Sequence, residues 1–278
     1  MSTFASLIEL TPTGTDAYRA PSAPERSGRM YGGQFLAQAL MAASATTDDD
    51  RDIHSLHAYF LRPGEVSVPI ELTVDRVRDG RSFSVREVRA GQNGRELFRM
   101  LASFHVPEDG DEFAGAQMPA VPPPESITMT YNEFSRLNGE ERDWDGEARP
   151  MDLRYVDPPT APLGEPVLEP QRVWLRVPES MGDDMTAHFA GLAYLSDSTL
   201  VDHVVLPHGR RWQEPALNGA SLDHAMWFHH TTRADEWLLF DQHVEATGHG
   251  RGVAHGRLFE RHGRLVASCT QEGMIRWT

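Results

Sequence analysis

An internal repeat is the feature of this 278-residue chain that most constrains its fold. Two series of strand-like segments, each preceded by an apolar helical stretch, follow one another along the sequence. Three short motifs recur in the same order in both series: His57-Ala58 and His224-Ala225, 79–83 (DGRSF) and 249–253 (HGRGV), and 93–98 (NGRELF) and 262–267 (HGRLVA). Their nearly constant separation of about 170 residues indicates one duplicated unit rather than three chance matches.

Each copy begins with an apolar helix. Residues 29–47 (RMYGGQFLAQALMAASATT) are apolar almost all round after a Gly-Gly start, which predicts a buried helix. Residues 183–200 predict a second helix with an acidic beginning. Both are followed by alternating segments rich in Val, Phe and Leu, separated by turns such as QNGR. A helix followed by several antiparallel strands is an α+β pattern.

The sequence therefore predicts two tandem helix-plus-antiparallel-sheet repeats that pair edge to edge into one pseudo-dimeric unit, which protects edge strands. We place the N-terminal repeat at 1–107 and the C-terminal repeat at 148–278. Residues 108–147 between them begin as an acidic, Pro-rich stretch without periodicity, which is typical of a linker.

Composition excludes several classes of protein. The net charge is −15, and all 26 basic residues are arginines, so a nucleic-acid partner is not expected. No run of about 18 apolar residues occurs, and the first residues lack the pattern of a secretory signal, so we expect neither a membrane span nor export. The single cysteine, Cys269, forbids an internal disulfide. We expect a cytoplasmic protein, and a homo-oligomer is compatible with the sequence.

The densest polar cluster lies at residues 221–230 (SLDHAMWFHH), which suggests a metal site. In a strand, however, His224 and His230 share one face while Asp223 and His229 share the other. Metal ligands must converge, and the spacing matches no recognised zinc pattern. We therefore expect histidines of the core or its rim, and no metal or other cofactor.

Other candidate groups also have ordinary structural interpretations. A serine-nucleophile hydrolase is disfavoured because no G-x-S-x-G elbow occurs. Cys269 lies in an apolar strand pattern, where an inert buried thiol is common. Gln34 and Gln38 share a face of the first helix and could either bind a ligand or lie at the helix rim.

Several blocks resemble a known family: YGGQFLAQAL, HSLHAYFLRPG, RDGRSFSVREVRAGQNG, LDHAMWFH and VASCTQEG. These resemble the acyl-CoA thioesterase II family over most of residues 29–107 and 171–276. The resemblance implies a double hotdog fold and a hydrolase that converts acyl-CoA to free fatty acid and CoA with activated water.

The resemblance also implies the catalytic residues. It places the aspartate at Asp197, the glutamine at Gln271, and the hydroxyl at Ser221, where family members often have threonine. Asp197 ends an apolar helix, so partial desolvation should raise its pKa toward that of a useful general base. Ser221 and Gln271 would orient the water through neutral hydrogen bonds. Backbone N–H groups at Gly32-Gly33 are candidate oxyanion donors.

The repeat provides a second argument for these residues. In the first copy Gln271 corresponds to Ala102, Ser221 corresponds to His54, and no acid stands at the end of the first helix. The polar groups are thus confined to the second copy, which favours a role in function over one in the fold. Two alternatives remain: a hotdog hydratase or dehydratase of acyl thioesters, which would need an acid/base pair such as Asp223-His224, and a non-catalytic acyl-CoA binder.

Overall fold

The chain forms a large antiparallel sheet with few helices. A computed structural model describes residues 3–23, 29–137 and 149–278. The helices are α1 (Phe4–Leu7), α2 (Gly32–Ser44), α3 (Tyr131–Leu137) and α4 (Met185–Ser196). The strands of the first half are β1 (Thr11–Gly14), β2 (Ala17–Ala20), β3 (Asp52–Phe60), β4 (Ile70–Asp79), β5 (Phe83–Gln92) and β6 (Arg95–His105). Those of the second half are β7 (Asp152–Tyr155), β8 (Gln171–Arg176), β9 (Leu217–Ser221), β10 (Asp223–Phe228), β11 (Leu238–Gly248), β12 (Arg251–Glu260) and β13 (Leu265–Trp277).

One sheet contains all the strands of the described residues. Its order is β1-β2-β4-β5-β6-β3-β10-β13-β12-β11-β8-β7, and β9 pairs with β13 beside β10. The two halves meet where β3 runs antiparallel to β10, with Leu56 opposite Met226. This pairing leaves neither β3 nor β10 as an exposed edge. The predicted double arrangement of helix plus antiparallel sheet, joined edge to edge, is confirmed.

The two long helices pack against each other. Helix α2 also lies against β4, β5 and β6. Ten of the thirteen residues of α2 are buried, and all residues from Ala187 to Ser196 of α4 are buried. This explains why both helices are apolar almost all round: α2 contacts both α4 and the sheet, and α4 packs on α2 and, through Phe189 against Phe228, on β10.

The structure supports two of the three repeated motifs and corrects the third. The motif at 79–83 lies at the turn between β4 and β5 and its match at 249–253 at the turn between β11 and β12, while 93–98 and 262–267 lie at the next turns, β5 to β6 and β12 to β13. Asn93-Gly94 and His249-Gly250 have φ between 52° and 73°. Such values suit two-residue hairpin turns. The match of His57-Ala58 with His224-Ala225 is wrong in register, because His57 is exposed whereas His224 is buried.

The segment between the repeats packs on the sheet of the second half. Residues 106–123 have no regular secondary structure, but Met118 and Val121 pack against a cluster that includes Trp174 and Trp237. A 3-10 helix at Pro124–Ser126 and helix α3 follow. Residues 138–147 of the predicted linker lie outside the described residues.

Several elements differ from the sequence-based expectations. Strands β1 and β2 and a 3-10 helix at Val201–His208 were not predicted. The strand expected across residues 220–230 is divided at Leu222, whose backbone N–H donates to Glu272 and whose carbonyl accepts from Phe60. In the described part of the chain, no helix is both long and apolar enough to cross a membrane.

Gln34 and Gln38 attach the N-terminal segment to α2. Both are buried, and their Nε2 atoms donate to backbone carbonyls: Gln34 to Pro21 at 2.8 Å, and Gln38 to Leu7 at 2.7 Å and to Pro21 at 2.8 Å. In this structure both side chains therefore hold the chain that precedes the helix.

Candidate active site

The candidate site lies where the end of α4 meets the beginning of α2. Asp197 is the C-cap of α4, with φ −87° and ψ 0°. The first residue of α2 is close to it: a Cβ atom at Gly32 would lie 2.7 Å from Asp197 Oδ2. A Cβ at Gly33 would clash with the carbonyl oxygen of Tyr194. The two glycines of the Gly-Gly start therefore permit this close approach of the helices.

A tyrosine strengthens the same junction. The hydroxyl of Tyr31, the N-cap of α2, donates to the carbonyl oxygen of Tyr194 at 2.7 Å. The two rings also pack edge to face, with centroids 5.0 Å apart. The guanidinium of Arg149, two residues after the predicted linker, lies 4.0 Å from the centre of the Tyr31 ring.

Asp197 is half-buried, and the groups around it shift its pKa in opposite directions. Burial raises its pKa from 3.8 to about 6, because the ionised carboxylate loses its hydration. A hydrogen bond from Gln271, the positive charge of Arg149 and the backbone N–H of Gly33 all lower the pKa and partly oppose this shift. The C-terminus of α4 disfavours a carboxylate, whereas the N-terminus of α2 favours it. The expected desolvation of Asp197 is present, and its pKa is in the range of a general base at neutral pH.

Gln271 reaches Asp197 directly. It lies on β13 with its side chain fully buried, and its Nε2 donates to Asp197 Oδ1 at 2.5 Å. The neutral amide holds one carboxylate oxygen without competing for a proton at the other. Ala102 is likewise fully buried on β6, so the first copy has a methyl group where this amide stands in the second.

Ser221 lies near this pair without touching it. It is the last residue of β9, half-buried and opposite Gly273 of β13. Within the described residues, its hydroxyl makes no hydrogen bond to Asp197 or Gln271. It lines instead a cavity of about 430 Å³ whose wall also includes Gly32, the neighbour of Asp197 Oδ2. The structure thus joins Asp197 and Gln271, and it places Ser221 on the wall of a cavity that Gly32 also lines.

The cavity has a largely apolar wall and two cationic residues. Its apolar lining includes Met30, Phe35, Phe60 and Met274, and its arginines are Arg29 and Arg62. Arg62 is exposed and donates to the carbonyl oxygen of Glu96 at 2.7 Å. The described residues that line the cavity include no carboxylate. An apolar recess with positive charge beside it suits a ligand that has both an apolar chain and anionic groups.

The histidines of residues 221–230 do not converge. His229 and His230 lie beyond the end of β10, and His229 Nε2 is 2.9 Å from Ser268 Oγ. His224 is buried, away from both. No group of three or more His, Cys, Asp or Glu within the described ranges could hold a metal ion. Burial raises the pKa of the Cys269 thiol, which disfavours the nucleophilic thiolate.

The sequence did not predict that Arg149 and the backbone N–H of Gly33 would lower the pKa of Asp197. The Gly-Gly pair was a usable signal for close approach, although it did not identify Asp197 as the group approached. Arg149 lies at the end of a polar stretch, and nothing in its sequence surroundings indicated that it would lie near this carboxylate.

Comparisons with known proteins cover both halves. The family model described as the acyl-CoA thioesterase N-terminal domain matches residues 21–105, and that of the C-terminal domain matches residues 124–275. Acyl-coenzyme A thioesterase 8 of Mus musculus is 35% identical to the chain, over 98% of this chain and 88% of the relative. Acyl-CoA thioesterase 2 of Haemophilus influenzae is 32% identical, with 98% and 96% covered. The crystal structure of an acyl-CoA thioesterase II from Mycobacterium marinum is similar at a TM-score of 0.82 and 36% identity, with 99% of both chains covered.

Proposed function

The chain belongs to the acyl-CoA thioesterase II family and hydrolyses the thioester of acyl-CoA, and on that premise we propose that Asp197 is the general base that activates the attacking water. The observation that carries the proposal is the part-buried contact between Asp197 and Gln271 beside Gly32, a residue that lines the same cavity as Ser221. With a pKa of about 6, Asp197 is largely ionised at neutral pH and still basic enough to accept a proton from water.

The proposed reaction follows from the positions of these groups. Gln271 holds Asp197 Oδ1, so Oδ2, which points toward Gly32, receives the proton of the water. The water oxygen attacks the thioester carbonyl carbon and forms a tetrahedral oxyanion. Collapse of this intermediate breaks the carbon–sulfur bond, and the proton held by Asp197 passes to the leaving sulfur of CoA. The products are a free fatty acid and CoA.

Ser221 and Gln271 have different parts in this proposal. The Ser221 hydroxyl faces the cavity and can hydrogen-bond the water from the side opposite Asp197. Gln271 contacts Asp197 itself and therefore orients the base. The N–H of Gly33 bonds Asp197, so we assign it to stabilising the carboxylate rather than the oxyanion.

The cavity provides the path of the substrate to Asp197. We propose that the thioester end enters between Gly32 and Ser221, and that Arg62 at the rim faces the phosphates of CoA. Replacing Arg62 by glutamine should raise KM for acyl-CoA and leave kcat nearly unchanged. An unchanged KM in that variant would contradict this placement.

The direct test of the base is release of free CoA thiol from a panel of acyl-CoAs of graded chain length. We expect Asp197→Asn to lower kcat by about 10²–10⁴-fold, the usual contribution of a general base. Asp184→Asn is the matched control, because Asp184 caps the other end of α4 and asparagine caps a helix as well as aspartate does. Full activity of Asp197→Asn would refute the assignment.

The alternative hydratase chemistry has little support from the site. Asp223 Oδ1 accepts the backbone N–H of Glu272 at 2.8 Å, while the ring of His224 lies buried beside Ser196. The two side chains therefore do not form an acid/base pair on a common cavity. We also retain as proposals the division of the chain at 1–107, 108–147 and 148–278 and a cytoplasmic location.

A further inference from the structure

A buried polar contact between His224 and Ser196 lies next to Gln271. His224, on β10, is fully buried, and its Nε2 is 2.9 Å from the hydroxyl of Ser196. Ser196 is the last residue of α4 and is therefore joined by a peptide bond to Asp197. A histidine on the sheet is thus attached to the same helix end that presents the catalytic carboxylate.

His224 and Gln271 are neighbours on adjacent strands. Ala225 pairs with Thr270, so the next positions along the two antiparallel strands bring His224 opposite Gln271. Both side chains are buried. Directly opposed residues have Cβ atoms about 4.5–5.5 Å apart, which is close enough for these two side chains to meet. The Gln271 amide also raises the pKa of His224 against the larger lowering effect of burial.

Two polar atoms of this pair lack any other partner in the described residues. They are Nδ1 of His224 and Oε1 of Gln271, both buried, and they do not meet strict hydrogen-bond geometry with each other. A buried polar atom without a partner is costly, and these two are complementary when Nδ1 carries a proton. A small rotation of the amide or the ring therefore satisfies both atoms at once.

We propose that His224 is the positioning residue of Gln271: its Nδ1–H donates to Gln271 Oε1 and thereby directs Gln271 Nε2 toward Asp197. This inference rests on the proposed role of Asp197 as the base. Four side chains then form a closed ring, from Ser196 to His224, Gln271 and Asp197 and back through the peptide bond. Without His224, the amide would be able to rotate by half a turn and place its oxygen against the carboxylate.

The ring requires one tautomer of His224. The hydroxyl of Ser196 donates to Nε2, and the ring proton is on Nδ1. In the alternative, the Ser196 hydroxyl donates to the carbonyl oxygen of Ala193, 3.0 Å away, and His224 Nε2–H donates to Ser196 Oγ, which leaves Gln271 Oε1 without a donor. Burial lowers the pKa of His224 to about 3, so the ring is neutral at the pH of the reaction and serves as a fixed donor.

The chain offers a matched control in a second buried histidine. His203 is also fully buried, its pKa is also lowered to about 3 by burial, and it interacts with a glutamine, Gln242. That glutamine accepts from Thr199 and has no contact with Asp197 in the described structure. His203→Leu therefore removes a comparable side chain from the core without affecting the proposed ring.

The kinetic test compares His224→Leu, His224→Asn and His203→Leu in the full chain. His224→Leu should lower kcat about 10–100-fold with little change in KM, because the loss concerns the orientation of the base. Its kcat/KM should rise at higher pH than that of the wild type, because Gln271 no longer lowers the pKa of Asp197. His224→Asn should recover most of the activity, since its amide Nδ2 can replace Nδ1 as the donor. His203→Leu should leave kcat and the pH profile unchanged.

A nuclear magnetic resonance measurement tests the ring without using activity. The ring nitrogens of 15N-histidine-labelled protein should show His224 as the neutral Nδ1–H tautomer, and Gln271→Ala should change its Nδ1 signal. An Nε2–H tautomer, or His224→Leu with wild-type kinetics, would overturn the proposal. If His224→Leu does not fold, the tautomer of His224 and the activity of His224→Asn test the proposal instead. If Asp197→Asn were active while the tautomer was as expected, the ring would stand and the proposed role of Asp197 would fail.

Discussion

Replacing Asp197 by asparagine should have opposite effects on activity and stability. The folded protein holds this carboxyl with a pKa of about 6, against 3.8 for the ordinary value. A group whose folded-state pKa is raised contributes stability that is present at low pH and lost as pH rises through the folded pKa. At about pH 8 the shift of roughly 2 units corresponds to about 3 kcal/mol of lost stability, since one unit corresponds to about 1.4 kcal/mol.

Asparagine carries no charge and therefore removes this pH-dependent penalty. It keeps an acceptor for Gln271 but cannot also accept the N–H of Gly33 with its amide nitrogen, which costs about 1 kcal/mol at every pH. The constant loss cancels when two pH values are compared. The difference in unfolding free energy between Asp197→Asn and the wild type should thus become more favourable to the variant by about 2 kcal/mol from about pH 4.5 to about pH 8.

Urea unfolding followed by circular dichroism at both pH values measures this difference. Asp184→Asn, at the exposed end of α4, serves again as the control. In parallel, release of CoA thiol should be lower by about 10²–10⁴-fold in Asp197→Asn. If the difference in stability between the two proteins did not change with pH, ionisation of Asp197 would not be penalised by the fold, and the argument from its burial would be refuted.

Three further predictions concern the same site. For the wild type, kcat/KM should rise with pH and level off above about pH 6, because Asp197 must be ionised. For Gln271→Ala this rise should move to higher pH, and kcat should fall. An unchanged pH profile in Gln271→Ala would contradict the role of the amide. Gly32→Ala should abolish most activity, because the added methyl would lie 2.7 Å from Asp197 Oδ2, whereas Gly110→Ala, in open space, should be fully active. Ser221→Ala should lower kcat and Ser221→Thr should retain it; equal rates for both would exclude the hydroxyl from the reaction.

The asymmetry between the two halves has a structural basis. Both copies provide a buried helix, and the two helices meet at a junction that contains residues of both halves. The first half contributes the glycine start of α2, and the second contributes Asp197, Gln271 and Ser221. Ala102 on β6 shows that the first half has no counterpart of the amide. One site per chain therefore follows from the described residues at this junction.

Patterns within single elements were sufficient to predict much of this protein. The apolar stretches of α2 and α4, the alternation of the long strands and the turns at Asn93 and His249 all depend on neighbours in sequence, and repetition of the whole unit predicted the double fold. The resemblance to the thioesterase blocks implied Asp197, Ser221 and Gln271. Their functional assignment stays a prediction, although Asp197 and Gln271 lie in contact.

Other features were decided only by tertiary packing. The faces of His57 and His224, the division of a strand at Leu222 and the placement of Arg149 near Asp197 depend on contacts between segments far apart in the chain. Sequence periodicity specifies which side of an element is apolar, but it does not specify which residue of another element will lie opposite. The pKa of Asp197 depends on residues of other elements that lie against it, because burial and hydrogen bonding act over a few ångströms in space rather than along the chain.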